Sequence, residues 1–242
     1  MSNPFKDIDV FILCGGLGKR LRKLNLNAPK PMAKIGGRPF LDMIIDYMAD
    51  FGFRRFILGL GYKGEDIKKY YSTKPGQSLK IIFSQEKSPL GTGGAVKKAK
   101  KMIKSRHFLV LNGDSFYQFN PLDFLSFHKR KKSLVTILLK RLCGDAKDYG
   151  TVKIDKLSNI ISFQEKNEKA KNGLINSGVY LFNNKVFDLM PRKRSFSLEH
   201  ELFPELYGRG LFGYVGSGYF IDIGTPERFF KARKHFLKNK NL

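Results

Sequence analysis

Apolar residues follow two different periods along this 242-residue chain. Strand-like, mostly apolar runs at positions 10–13, 55–60, 79–83 and 107–111 have the length of buried strands. Helical spacing fills the gaps between them, at 40–51, 65–71 and 93–103. In the first of these segments Phe40, Leu41, Ile44, Ile45 and Met48 form a one-sided stripe. Such alternation predicts right-handed crossovers and a parallel sheet with helices on both faces. The second half reads differently. Strand-like runs at 134–139, 150–154, 160–163, 178–182 and 219–223 are separated by turn signals, with helices at 122–131, 198–207 and 226–237. The expected class is α/β, a Rossmann-like three-layer sandwich with a mixed, mostly parallel central sheet whose later strands build one wall of a site.

With no Pro/Ser-rich linker and no internal repeat, the chain is read as one domain over 1–242. There is no run of 18 apolar residues and no signal-peptide h-region. A soluble, cytoplasmic protein without a membrane partner is therefore expected. Cys14 and Cys143 give no disulfide framework, and the four histidines lack zinc-site spacing. The formal charge of +24 comes from basic runs at 97–101, 129–132, 192–194 and 231–240. None carries aromatics at stacking intervals, so each reads as a solvated face rather than a specific nucleic-acid surface. The charge also attracts phosphorylated substrates as a secondary benefit.

The chemistry begins where the first strand ends. Leu13 and Cys14 lead into Gly15, Gly16, Leu17 and Gly18, followed by Lys19, Arg20 and, after a spacer, Lys30. Glycines let backbone approach a ligand closely, and successive N–H groups in such a turn cradle an anion. The dinucleotide fingerprint is excluded, because Leu21 stands where its third glycine would be. The Walker loop is excluded by Leu13 and Arg20. A phosphate loop of another kind remains.

Ligands of open α/β sheets bind at the carboxyl ends of strands, so the residues just beyond each strand test the site. After the third comes Gln85 to Ala95, with Pro89, Gly91, Thr92, Gly93 and Gly94 opening a helix. That helix offers free N–H groups, its glycines leave room for a flat base, and the Gln85 amide can donate and accept at a base edge. After the fourth come Asn112, Gly113 and Asp114, the last placed either to cap a turn or to hold a hard cation such as Mg²⁺.

Taken together, Gly15-Gly16-Leu17-Gly18-Lys19-Arg20-Leu21, Pro29-Lys30-Pro31-Met32, Leu90-Gly91-Thr92-Gly93-Gly94 and Asn112-Gly113-Asp114 resemble the motifs of the sugar-1-phosphate nucleotidyltransferases. Lys19 stands where that family usually has Thr, and Arg22-Lys23 where it often has Pro. The later segments Tyr149-Gly150, Glu165-Lys166 and Asn176-Ser177-Gly178 resemble its Y-G, E-K and N-x-G motifs, and Asp222 matches its second metal aspartate. The resemblance divides the domain into a nucleotide half, about 1–120, and a sugar-phosphate half, about 121–242. It implies that Leu13, Gly15, Gly16, Gly18, Lys19, Gln85, Pro89, Gly91, Thr92, Asn112 and Gly113 bind nucleotide. It implies that Asp114 and Asp222 hold Mg²⁺, that Arg20 steadies the triphosphate and that Lys30 sits near the α-phosphate. By the same resemblance Tyr149, Gly150, Glu165 and Asn176 meet the sugar, and Lys166 grips its phosphate.

Details such as Ser197-Leu198-Glu199 and Phe220-Ile221-Asp222-Ile223-Gly224 look most like the D-glycero-α-D-manno-heptose 1-phosphate guanylyltransferases. That likeness implies GTP as donor and a role in bacterial surface polysaccharide synthesis, of capsule or lipopolysaccharide. Hexose-1-phosphate relatives using GTP, UTP or dTTP share most of these motifs. A catalytically dead nucleotide-sugar-binding regulator on the same fold is disfavoured, because Arg20, Lys30, Asp114 and Asp222 are all present. The expected partners are a nucleoside triphosphate and a sugar 1-phosphate, with self-association left open.

Overall fold

In β1 (Asp9–Leu13) successive side chains leave the sheet on opposite sides. Val10 and Ile12 enter one core and Phe11 the other, all fully buried. The same alternation places Phe56 and Leu58 of β4 (Arg55–Leu60) on the first face and Ile57 on the second. In this computed structural model residues 3–16, 28–73, 78–143, 149–164 and 172–238 are described.

Beyond β1 and β4 the large sheet contains β5 (Lys80–Gln85), β6 (His107–Asn112), β8 (Val135–Cys143), β9 (Thr151–Ile154), β10 (Ile160–Gln164), β11 (Asn172–Asn183) and β12 (Leu211–Gly216). Its order is β10-β9-β11-β6-β1-β4-β5, with β8 and β12 branching from β11. The run β6-β1-β4-β5 is parallel, as expected of the first half. β11 joins β6, β8 and β9 antiparallel, so the sheet is mixed. Two small ribbons accompany it, β2 (Lys34–Ile35) with β3 (Arg38–Pro39), and β7 (Ser115–Tyr117) with β13 (Phe220–Asp222).

Helices cover both faces. α1 (Phe40–Asp50), α2 (Gly64–Thr73), α4 (Pro121–Arg130) and α6 (Pro226–Lys238) pack Phe40, Ile44, Ile67, Phe124, Phe229 and Phe236 on the first face. α3 (Gly91–Lys98) and the segment around Phe196–Leu206 close the second, with Ala95, Val96, Leu202 and Phe203. Phe108, Phe182 and Phe187 stack there at centroid separations of 5.3 and 5.4 Å. The edge opposite the strand ends is tied by buried Asp9. Its carboxylate accepts from Arg55 Nε at 2.5 Å and from the backbone N–H groups of Lys104 and Ser105 at 2.6 and 2.9 Å.

Several elements depart from the expectation, the short strands β2, β3 and β7 among them. The helix foreseen at 198–207 is a π-helical turn, Leu198–Leu202, running into the single turn α5 (Phe203–Glu205). Pro204 lacks an N–H and crowds the carbonyl of the preceding turn, so a regular α-helix cannot continue through it. β12, parallel to β8, was hidden by Gly213 and Gly216, which dilute its apolar signal. β11 begins six residues before the expected 178–182 strand, and its register with β8 shifts between Asn176 and Tyr180, around Gly178 at φ +77°. Cys143, expected in a loop, closes β8.

His128 on α4 is fully buried, with Nδ1 2.8 Å from the Thr136 hydroxyl and its ring against His107. Burial pushes its imidazolium down to about 3, and His107 and Lys129 act in the same direction. The unfolded chain protonates this residue near its ordinary value of about 6.5. Acidification between these two values therefore favours unfolding, by on the order of a few kcal/mol. Urea unfolding of His128→Gln at about pH 7 and about pH 4.5 should show a smaller loss of stability between the two than the parent chain. An unchanged loss contradicts this assignment.

Candidate functional site

The ends of β1, β4 and β6 meet backbone to backbone. Cys14 donates its N–H to the Gly59 carbonyl at 2.8 Å and Gly113 donates to that of Leu13 at 3.0 Å. A Cβ on Gly61 would lie 2.8 Å from Gly15 Cα, and one on Gly113 2.8 Å from the Leu13 oxygen. No side chain fits between these strand ends. Gly16, by contrast, faces open space. It borders a cavity of about 600 Å³ whose wall includes Leu13, Gly15, Pro89, Gly91, Thr92, Asn112 and Asp114. Most of the residues expected to bind nucleotide, Gly16 among them, are thus brought together. Gly18, Lys19 and Arg20 lie outside the described residues.

The far wall is the loop entering α3. Gly91 adopts φ +70°, and a Cβ there would lie 2.5 Å from the Phe196 carbonyl oxygen. That oxygen accepts from the N–H groups of Gly93 and Gly94 at 3.0 and 3.2 Å, while Phe196 N–H donates to Leu90 at 3.0 Å. The loop is thereby zipped to the segment preceding the π-turn.

Gln85, the residue expected to read the base, is turned away from this cavity. Its amide lies where a Cβ on Gly64 would stand, at 2.9 and 3.1 Å, and its Oε1 is buried without a hydrogen-bond partner among the described residues. Alternation along the strand end sends the next side chain, Glu86, the other way. Glu86 lines the cavity, and its Oε2 accepts from Leu90 N–H at 3.2 Å. Half-burial raises its pKa above the ordinary carboxylate value, the Leu90 N–H pulling the other way. Tyr62 joins the same wall.

The β7–β13 ribbon brings the main chain of the two expected metal aspartates to neighbouring positions. Asp222 stands opposite Ser115, and Ile223 N–H donates to the Asp114 carbonyl at 2.9 Å. Each already holds a cation. Lys30, in a short 3₁₀ turn Lys30–Met32, is ion-paired with Asp114. Arg228 Nη1 donates to Asp222 Oδ2 at 2.6 Å, and the Tyr149 hydroxyl donates to the same oxygen. The cation demanded by Asp222's apolar setting is, in this structure, an arginine six residues on. Both carboxylates nevertheless offer hard oxygen donors of the kind that Mg²⁺ takes alongside phosphate and water. Burial and the Asp222 charge both keep the Tyr149 hydroxyl protonated. Burial, and then the Asp114 charge, do the same for the Cys14 thiol.

On the side expected to meet the sugar, Ile175 of β11 pairs with Thr151 of β9, which sets Asn176 beside Gly150. Asn176 Nδ2 donates to the Tyr180 hydroxyl at 2.9 Å and its Oδ1 accepts from Gly178 N–H at 2.9 Å. Arg228 stacks over Tyr149, 4.8 Å from its centroid. Glu165 and Lys166 lie outside the described residues.

The model of the family described as nucleotidyl transferase matches residues 9–239. The chain belongs to that family. It is 40% identical to a D-glycero-alpha-D-manno-heptose 1-phosphate guanylyltransferase of Campylobacter jejuni, over 96% of this chain and all of that one. It is 37% identical to a relative of the same name from Aneurinibacillus thermoaerophilus, over 94% of this chain and 97% of the other. The crystal structure of HddC from Yersinia pseudotuberculosis complexed with GMP-PN superposes with a TM-score of 0.84 at 36% identity, covering 95% of this chain and 99% of that one. This nucleotidyl transferase therefore shares its fold with HddC over nearly its whole length. Glu86 and Arg228 were not singled out from sequence. Strand parity separates Glu86 from Gln85 only once the last residue of the strand is known, and nothing local marks Arg228.

The glycines separate structural from ligand-facing roles. Gly61→Ala and Gly93→Ala, whose Cβ atoms would meet Gly15 and the Phe196 ring, should each destabilise the fold by about 1–3 kcal/mol. Gly16→Ala should leave thermal unfolding unchanged yet weaken triphosphate binding. Equal melting losses for all three contradict this division.

Proposed function

We propose that this nucleotidyl transferase moves GMP from GTP to a sugar 1-phosphate, D-glycero-α-D-manno-heptose 1-phosphate, giving a nucleotide-sugar and pyrophosphate. The observation that carries the base is the Glu86 carboxylate in the wall of a glycine-lined cavity at the strand ends. A carboxylate accepts two hydrogen bonds in parallel, which matches the adjacent N1–H and N2–H donors of guanine. Uracil, thymine and adenine lack that donor pair. The sugar is supported by the heptose-specific names of two relatives that align over nearly their whole length. A role in bacterial surface polysaccharide synthesis, in the cytoplasm where both substrates occur, belongs to the same reading. Among the described residues no helix is long and apolar enough to cross a membrane.

The chain's contribution is positioning and charge. The sugar phosphate is already an anionic nucleophile, so no general base is required, and in-line attack on the α-phosphorus needs alignment above all. Gly15 and Gly16 admit the triphosphate against bare backbone, and Arg20 steadies the β- and γ-phosphates and the leaving pyrophosphate. Lys30 holds positive charge beside Asp114 for the α-phosphate. Asn176 and Glu165 hold sugar hydroxyls, Gly150 and Tyr149 bound the sugar, and Lys166 aims its phosphate. A Mg²⁺ bound by Asp114 and Asp222 supplies charge neutralisation on the reacting phosphates.

Pyrophosphate release measured over a panel of triphosphates and sugar 1-phosphates tests the proposal. GTP with the manno-configured heptose 1-phosphate should be preferred. Equal rates with UTP or dTTP, or preference for glucose 1-phosphate, overturn the assignment. Turnover should collapse in chelator, in Asp114→Asn and in Asp222→Asn while unfolding transitions persist. Full activity in any of the three removes the metal assignment.

Glu86 adds a pH signature. Protonation removes one acceptor, so KM for GTP should rise on acidification through a pKa above the ordinary glutamate value of about 4.3. Glu86→Gln should raise that KM at neutral pH and abolish this pH dependence. An unaltered KM profile contradicts guanine reading by Glu86.

A further inference from the structure

Behind the cavity, Glu199 joins three segments far apart in sequence. Its Oε2 accepts from the hydroxyls of Thr92 and Ser197, both at 2.8 Å, and its Oε1 accepts from the Tyr180 hydroxyl at 3.0 Å. Thr92 stands at the start of α3 in the cavity wall and also accepts from Leu198 N–H at 2.8 Å. Tyr180, fully buried on β11, accepts in turn from Asn176 Nδ2 at 2.9 Å. One carboxylate thus connects the loop that lines the nucleotide cavity to the asparagine on the sugar side.

The direction of every bond in this chain is fixed. A carboxylate only accepts, so Thr92 and Tyr180 must both donate to it. With its proton committed to Glu199, the Tyr180 oxygen is left to accept, which selects Nδ2 of Asn176. The Asn176 oxygen then faces Gly178 N–H, where it is found at 2.9 Å. Burial and the Glu199 charge keep the Tyr180 proton in place. Bonds so aligned polarise one another, and disturbing one end is felt at the other.

We propose that Glu199 is a positioning residue that couples the two substrate subsites, fixing the α3 entry loop and the Asn176 amide together. It rests on reading the cavity as the nucleotide subsite and Asn176 as a sugar contact. A bound nucleotide that orders Thr92 thereby orders Asn176 for the sugar phosphate, and the converse holds by linkage.

The test uses Tyr180→Phe, which keeps the buried ring and deletes only the hydroxyl on the sugar side of Glu199. Turnover of GTP by the parent chain is measured first, so that failure of the nucleotide assignment is seen separately. Binding of a non-hydrolysable GTP analogue is then measured with and without sugar 1-phosphate. Tyr180→Phe should weaken the analogue by about fivefold and abolish the gain in affinity that sugar phosphate gives. In the Glu199→Gln background the same change should have no further effect. Should Glu199→Gln not fold, Thr92→Val and Tyr180→Phe replace it, and their combined effect on analogue affinity should be smaller than the product of the single effects. Analogue affinity unchanged in Tyr180→Phe, or strictly multiplicative effects in either cycle, overturns the proposal.

Discussion

The close approach of main chain at the ends of β1, β4 and β6 is the constraint on which the site depends. Gly15 against Gly61, and Gly113 against the Leu13 carbonyl, leave no volume for a Cβ. Parallel strands put all their carboxyl ends on one edge, and at Gly16 the absence of a side chain leaves open space there. At the opposite edge Asp9 draws Arg55, Lys104 and Ser105 together and closes the sheet. The fold thus has a locked end and an open end, and the residues expected to bind ligand collect at the open one.

Charge at the open end is balanced before any ligand arrives. Asp114 is matched by Lys30 and Asp222 by Arg228, so neither carboxylate sits uncompensated in a half-buried setting. Pairing each carboxylate with its own base is how a chain of formal charge +24 holds these two acidic residues without leaving a buried charge uncompensated.

Much of this was legible in the residues, for identifiable reasons. Parallel strands covered on both faces are dense in apolar residues, so β1, β4 and β6 stood out, and β5 with them although it lies half-buried at the sheet edge, and the segments just past their ends held Gly15, Thr92, Asn112 and Asp114. β12 escaped because Gly213 and Gly216 pack against Leu139 and Tyr117 in place of side chains that would have announced a strand. The helix at 198–207 was overestimated because its apolar spacing is helical while Pro204 breaks the hydrogen-bond ladder. Gln85 was preferred to Glu86 because amides suit base edges; the strand's last residue sets which of the two faces the cavity, and periodicity does not fix that parity. Arg228 looks like any surface arginine of an amphipathic helix until the β7–β13 ribbon brings Asp222 to it. Glu199 entered only as part of a sequence likeness, since its partners Thr92 and Tyr180 are distant along the chain.

The central claim is that the glycine-lined cavity holds guanine at Glu86 while the sugar reaches Asn176. A crystal structure of the protein with its nucleotide-sugar product tests this most directly. The guanine N1–H and N2–H are expected within hydrogen-bond reach of Glu86, the phosphates beside Lys30 and Gly16, and a sugar hydroxyl on Asn176. A base bound away from Glu86, or a sugar lying clear of Asn176 and Gly150, would contradict it.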